Sequence, residues 1–152
     1  MGNREEVKPS LPLEVVELLS EKAREKGYTA KRKNRVLPAP SAYARELVKA
    51  ALMSEPVIRA LSPYFRRGYV PLWDTSRAFL GHSEPKDLEA LKPEFEADTK
   101  RLPLRFSDPD YEHFAQLVYS LKADESETAL VLITEALTQG IEAPAREAVK
   151  NG

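Results

Sequence analysis

The clearest alternation of apolar and polar positions lies in the C-terminal half of the chain. Residues 101–106 read Arg-Leu-Pro-Leu-Arg-Phe, which has period two and predicts a half-buried strand with the even-numbered residues inward. Apolar residues then recur three and four positions apart, and this spacing predicts helices over about 109–122 and 126–139. Gly140 suits the position after a helix, because glycine adopts a positive φ without strain.

The N-terminal third repeats this order of elements at low residue identity. Val7, Pro9 and Leu11 alternate with polar residues, which predicts a second short strand with these three side chains inward. Helical spacing follows from Pro12 to Gly27, and again from Pro40 until Pro56 stops it. The chain therefore contains two copies of a strand–helix–helix unit.

Neither unit can bury the apolar face of its own strand, so the two units are expected to share one core. Antiparallel pairing of the strands would give a two-stranded ribbon with four helices beneath it. The aromatic residues between the units indicate that this insert folds onto the core. The predicted divisions are a first unit at 5–53 with a basic loop insertion, the insert at 54–99, a second unit at 100–140, and a frayed or weakly helical tail at 141–152.

Charge is distributed unevenly along the chain, although the net charge is only −1. From Lys22 to Arg67 there are twelve Lys or Arg against three acids, a balance of +9. From Asp74 to Glu135 there are seven against fourteen acids, a balance of −7. A positive face in the first half favours an anionic partner, whereas chance clustering of solvated charges is the alternative.

Several classes of protein are disfavoured by composition. The chain has no cysteine, which excludes disulfides and thiolate metal sites and fits a cytoplasmic location. No apolar run approaches eighteen residues, and the N-terminus lacks the apolar stretch of a secretory signal, so no membrane association is expected.

The residue patterns of enzymes and cofactor sites are also missing. The two histidines, His82 and His113, have no cysteine or second histidine near them in sequence, and a solvated helix end is expected for His113. The six glycines form no phosphate-binding loop, and no serine stands in a nucleophile elbow. The sequence predicts a protein that is not an enzyme and uses no metal or other cofactor.

Residues 101–140 resemble a ribbon–helix–helix domain of the MetJ/Arc/CopG kind. The resemblance rests on the strand, on the helix start Ser107-Asp-Pro-Asp, and on the second helix from Ser126. In the first unit, residues 19–29 (Leu-Ser-Glu-Lys-Ala-Arg-Glu-Lys-Gly-Tyr-Thr) are similar to the end of the first helix and the turn of that family. The resemblance covers roughly ninety residues and implies a mainly α fold with two tandem motifs forming a pseudo-dimer.

The resemblance implies that the ribbon lies in the major groove of DNA and that outward strand residues read bases. Parity assigns this role to Lys8, Ser10, Arg101 and Arg105, with Glu6 a further outward residue. Helix N-termini hold phosphates in that family, which points to Ser41, Ala42, Ser126 and Glu127. The basic stretch Lys31, Arg32, Lys33 and Arg35 would track the backbone, or would be a solvated loop.

Some residues depart from the family pattern. Pro103 stands where a polar reader is expected, and Pro9 brings a second proline to the ribbon. Glu125 and Glu127 would repel a phosphate. The aromatic cluster at 64–73 would pack on the core, or would stack on unpaired bases.

Double-stranded DNA is therefore the predicted partner. The expected role is that of a transcriptional repressor or a plasmid partition or transfer accessory, with self-association on tandem sites. The alternative is a protein-interaction module, either an antitoxin-like binder or a scaffold that does not bind DNA.

Overall fold

The computed structural model describes residues 5–92 and 98–146 of the chain. Two stretches at opposite ends of the sequence pair as antiparallel strands. The paired strands are β1 (Glu5–Val7) with β6 (Leu104–Phe106) and β2 (Ser10–Pro12) with β5 (Thr99–Arg101). Both pairs keep one register, from Glu5 opposite Phe106 to Pro12 opposite Thr99, so residues 5–12 and 99–106 form a single two-stranded ribbon.

Two prolines interrupt the ladder at its middle without breaking the register. The Leu102 N–H donates to the Pro9 carbonyl at 3.1 Å, so Leu102 and Pro9 form a hydrogen-bonded pair. The second bond of this pair is missing because proline has no N–H to donate to the Leu102 carbonyl. Lys8 and Pro103 face each other in the next pair, which the alternation of antiparallel ladders makes a non-hydrogen-bonded one. Pro103 therefore costs no ladder bond, and Pro9 costs one.

The predicted alternation of the strands is confirmed. Val7, Pro9 and Leu11 are buried, as are Leu102, Leu104 and Phe106, whereas the residues between them are exposed. The Phe106 ring stacks on Phe114 with centroids 5.5 Å apart.

Five α-helices surround the inner face of the ribbon and the insert, within the described part of the chain. They are α1 (Leu13–Glu25), α2 (Pro40–Leu52), α3 (Glu55–Leu61), α4 (Asp108–Leu121) and α5 (Glu125–Thr138). Helices α1, α2, α4 and α5 occupy the four predicted helical segments. None of the five has the length and the apolar character that a bilayer crossing requires.

The basic stretch between α1 and α2 is a β-hairpin, and the prediction of a loop is wrong. Strands β3 (Thr29–Arg32) and β4 (Arg35–Pro38) pair antiparallel around Lys33 and Asn34, which both have positive φ (47° and 64°). Positive φ at both central residues matches the right-handed twist of a hairpin. With this hairpin the fold is mixed α and β, and because roughly half of the chain is helical it is loosely consistent with the predicted mainly α class.

The insert contributes a large share of the core, which it shares with both units. Val57, Ile58 and Leu61 of α3 are fully buried, and Phe65 and Tyr69 are nearly or fully so. Residues Leu88–Leu91 of the insert form a single 3-10 turn, capped by the Asp87 carboxylate.

The tail is neither helical nor frayed as far as it is described. Residues 141–146 run without regular structure across α1 and α2, and Ala143 is buried. The Tyr28 hydroxyl donates to the Pro144 carbonyl at 2.7 Å, and the Arg146 N–H donates to the Lys26 carbonyl at 2.8 Å. Only residues 147–152 of the tail lie outside the described part.

Alkaline titration provides a test of how the insert is packed. Burial raises the pKa of Tyr69 to about 12. Because this pKa is raised above the usual value of about 10 in an unfolded chain, its contribution to stability is present below about pH 10 and is lost as the pH rises toward 12. Tyr111, whose hydroxyl donates to the Glu125 carboxylate, also has its pKa raised to about 12. We therefore expect tyrosinate absorbance to show two late titrations and Tyr69→Phe to remove one of them. Complete tyrosine titration near pH 10 in the folded chain would contradict the packing.

Candidate nucleic-acid interface

The side of the ribbon that faces away from the helices is exposed to solvent. We call this surface the outer ribbon face. It consists of Glu6, Lys8, Ser10, Arg101, Pro103 and Arg105. All four residues predicted to read bases therefore lie on one surface, brought together from stretches some ninety positions apart by the pairing of the strands.

Glu6 modifies the charge of this surface. Its carboxylate accepts a hydrogen bond from Arg105 Nε at 2.8 Å and lies 3.1 Å from Lys8 Nζ. The hydrogen bonds from Arg105 and Lys8 lower the pKa of Glu6, so this carboxylate remains charged at neutral pH. The outer ribbon face thus carries three cations and one internal counter-charge.

The outer ribbon face has pseudo-twofold symmetry in its backbone but not in its side chains. The two units can be aligned by counting back from the first helical residue of each, Leu13 and Asp108. In this alignment Glu6 is equivalent to Arg101, and Ser10 is equivalent to Arg105. The central pair, Lys8 and Pro103, correspond to each other and lie opposite each other. Each end of the ribbon therefore presents a different set of hydrogen-bonding groups.

The start of α2 offers unoccupied backbone donors. Pro40 stands in the first turn, no acid is present there, and no side chain caps the helix at Ala39. Ser41 and Ala42 are half-buried in this first turn. Free N–H groups and the positive end of the helix dipole are what a phosphate requires.

The start of α5 is different, and the phosphate prediction for it lacks support. The Asp124 carboxylate accepts the Glu127 N–H at 2.7 Å, and the Glu127 carboxylate contacts the Asp124 N–H in a capping box. Lys92 also forms an ion pair with Glu127. The Ser126 hydroxyl donates to the Lys8 carbonyl at 3.3 Å. This hydroxyl therefore binds the backbone of the ribbon and is not free to bind a ligand.

The hairpin that precedes α2 carries four cations. Lys31, Arg32, Lys33 and Arg35 are exposed near its tip, and residues 29–38 contain no acid. Among the described residues, no carboxylate lies within ion-pair distance of these four. The Ala39 N–H donates to the Tyr28 carbonyl at 2.8 Å, which places the base of the hairpin directly at the N-terminus of α2.

Two further cations beside the ribbon were missed by sequence reasoning. Arg45 and Lys49 of α2 line a cleft together with Arg105, Glu46 and Asp110. Glu46 accepts from Arg45 at 3.0 Å, and Lys49 lies 3.5 Å from Asp110. Their spacing of four residues indicates one helix face, but nothing local in the sequence places that face next to Arg105.

The structure provides no group of side chains suited to a metal ion within the described residues. His113 is half-buried and its Nδ1 has no hydrogen-bond partner, so the expectation of a solvated helix end is wrong. His113 lines a second cleft, which it shares with Lys49 and Asp110.

The aromatic residues of the insert are engaged in packing. Phe65 lies 5.5 Å from Tyr69 and 6.2 Å from Phe79 between ring centroids, and Trp73 contacts Phe79 edge-on at 6.3 Å. This arrangement favours the packing interpretation over stacking on unpaired bases.

Comparison of the chain with protein families, with characterised proteins and with solved structures finds no match.

Proposed function

We propose that the chain binds double-stranded DNA as a tandem ribbon–helix–helix protein, with its outer ribbon face in the major groove. The observation that carries this proposal is the single register of residues 5–12 with 99–106, which places Lys8, Ser10 and two arginines on one exposed two-stranded surface. The major groove admits a two-stranded ribbon, and arginine binds guanine O6 and N7 in bidentate fashion.

The ion pairs of Glu6 are compatible with base reading. The side chain of Arg105 is 66% exposed, and an ion pair that is open to solvent in this way contributes little. Arg105 can therefore exchange the carboxylate for a guanine at little cost. Glu6 itself can accept from the amino group of cytosine, so it contributes to the choice of sequence as well as to the orientation of Arg105.

Phosphate contacts on the side of the first unit would come from the start of α2 and from the hairpin. The N–H groups of Ser41 and Ala42 have no side-chain cap, and the hairpin that carries the four cations joins α2 at this point. Such contacts fix the position of the ribbon on the duplex without reading sequence. The biological role that we propose is a transcriptional repressor or an accessory of plasmid partition or transfer, with several chains on tandem sites.

Selection of binding sites from random duplex DNA tests the proposal. We expect enrichment of one motif that is not palindromic, because the two ends of the outer ribbon face differ. In the Arg101→Ala/Arg105→Ala variant we expect loss of about 1–3 kcal/mol of discrimination at each contacted base pair.

Arg59→Ala/Arg77→Ala is the matched control, since it removes two arginines that form ion pairs with Glu55 away from the ribbon. Absence of any enriched motif at low salt, with a folded chain, would contradict base reading by the ribbon.

A protein-interaction module, antitoxin-like or without DNA binding, is the second candidate. It is favoured by the exposed apolar side chains on the hairpin, where Val36 is 67% and Leu37 38% exposed. The salt dependence of any DNA affinity separates the two functions, because true phosphate contacts make log K fall steeply with log salt.

A further inference from the structure

A second cationic site lies away from the outer ribbon face, where the insert meets the end of α4. A cleft of about 280 Å³ is lined by Arg66, Arg67, His82, Ser83, Pro85 and Lys122. Three of these residues are permanently charged cations, and the lining contains no carboxylate. Among the described residues, no acid lies within ion-pair distance of Arg66, Arg67 or Lys122. Cations gathered without a counter-charge favour an anionic ligand.

The walls of this cleft are fixed by the backbone. The N–H groups of Arg66 and Arg67 both donate to the Ser120 carbonyl, at 2.7 and 3.1 Å. The His82 N–H donates to the Phe65 carbonyl at 2.9 Å, and its ring Nε2 donates to the Ser62 carbonyl at 3.1 Å.

Close packing on both sides of Arg66 and Arg67 adds to this rigidity. A Cβ on Gly81 would meet the Arg66 carbonyl oxygen at 2.6 Å, so only glycine allows this approach of the two segments. The Arg67 guanidinium stacks on the Tyr119 ring at 4.8 Å.

The size and chemistry of the cleft select a small anion. Ligand pockets for whole small molecules occupy about 300–1,000 Å³, so a cleft of about 280 Å³ suits a single phosphate group better than a buried nucleotide. Arginine forks, a lysine ammonium and a serine hydroxyl are the donors that phosphate oxygens accept.

The cleft has a defined place relative to the ribbon. Lys122 ends α4, and Ser126, four residues later, donates to the carbonyl of Lys8 in the ribbon. Four residues span at most about 14 Å, so Lys122 lies within that distance of the residue that contacts the ribbon. The junction of α4 and α5 also corresponds, in the second unit, to the position that the basic hairpin occupies in the first.

We propose that Arg66, Arg67, Ser83 and Lys122 form a phosphate-binding site, and that its ligand is a backbone phosphate of the bound duplex. The identity of the ligand rests on the proposed function, whereas the phosphate chemistry does not. The insert then supplies, for the second unit, the backbone contact that the capped and acidic start of α5 cannot make. The duplex is held on both sides of the ribbon.

The test compares Arg66→Gln/Arg67→Gln with Arg59→Gln/Arg77→Gln, two variants of equal charge change within the insert. We expect the first to lower the slope of log K against log salt by about 0.9, the value for one phosphate that is no longer neutralised, and to leave the selected motif unchanged. The second, whose arginines already form ion pairs with Glu55, is expected to change the slope by less than half as much. Thermal unfolding establishes that both variants fold.

Titration with inorganic phosphate, followed by nuclear magnetic resonance of the arginine and histidine side chains, identifies the source of the phosphate. If both variants change the salt slope equally, the duplex is not the ligand, and shifts of the Arg67 and His82 signals would then support a free phosphate-bearing molecule. If those signals also stay unchanged, the site does not exist as proposed. If the wild-type chain binds no duplex at all, the proposed function fails and the phosphate titration alone decides this site.

Discussion

Phe106→Ala is expected to lower the free energy of unfolding by about 3–5 kcal/mol, which is the usual cost of removing a buried phenylalanine. Phe106 is fully buried at the end of β6 and stacks on Phe114 of α4. Its removal leaves a cavity between the ribbon and the helices. Since a domain of this kind is stabilised by only about 5–15 kcal/mol in total, much of the stability would be lost. Urea unfolding measures the change.

The neighbouring residue supplies the control for this prediction. Arg105 lies on the same strand but on its outer face, and its side chain is 66% exposed. Arg105→Ala is therefore expected to change the free energy of unfolding by less than about 1 kcal/mol. Similar losses for the two variants would mean that the strand does not alternate between core and solvent as described.

Neutralising the four cations of the hairpin is expected to cause the largest loss of DNA affinity that is the same for every DNA sequence. The variant carries Lys31→Gln, Arg32→Gln, Lys33→Asn and Arg35→Gln. Asparagine is chosen at position 33 because φ is +47° there and asparagine tolerates a left-handed conformation. If all four cations contact phosphates, the slope of log K against log salt falls by about 3.6, with the preferred motif retained. Binding titrations at several salt concentrations measure the slope.

The matched control removes four cations that already have carboxylate partners. These are Lys22, Lys26, Arg59 and Arg77. We expect this variant to keep most of the slope, because long-range charge effects are screened beyond about 10 Å at 0.1 M salt. An equal loss in the two variants would show that the hairpin acts only through the net charge of the chain.

The ribbon and four of the helices were predictable because burial imposes a period on the sequence. Leu102, Leu104 and Phe106 are inward since a strand buried on one face needs an apolar residue at every second position. Helix starts were marked by Pro40 and Pro109, which fit the first turn. The same rules placed Lys8 and Arg101 outward.

The hairpin was not predictable from periodicity, because both of its faces are exposed. No position from Thr29 to Leu37 is buried, so no alternation of apolar residues marks the strands. Pairing there is local and ends in a turn at Lys33 and Asn34. The cationic cleft between the insert and α4 was missed for another reason. Lys122 and Arg66 are distant in sequence, and only the packing of the insert on α4 brings them to one place.

Pairing of β1 with β6 inside one chain also determines how the protein behaves on dilution. Where a ribbon forms between two separate subunits, falling concentration dissociates the pair, and the binding surface is lost with it. Here both strands belong to the same molecule and remain connected through the insert. Occupancy of a single DNA site should then follow the first power of protein concentration, so a cell with only a few copies would retain a complete binding surface on every one.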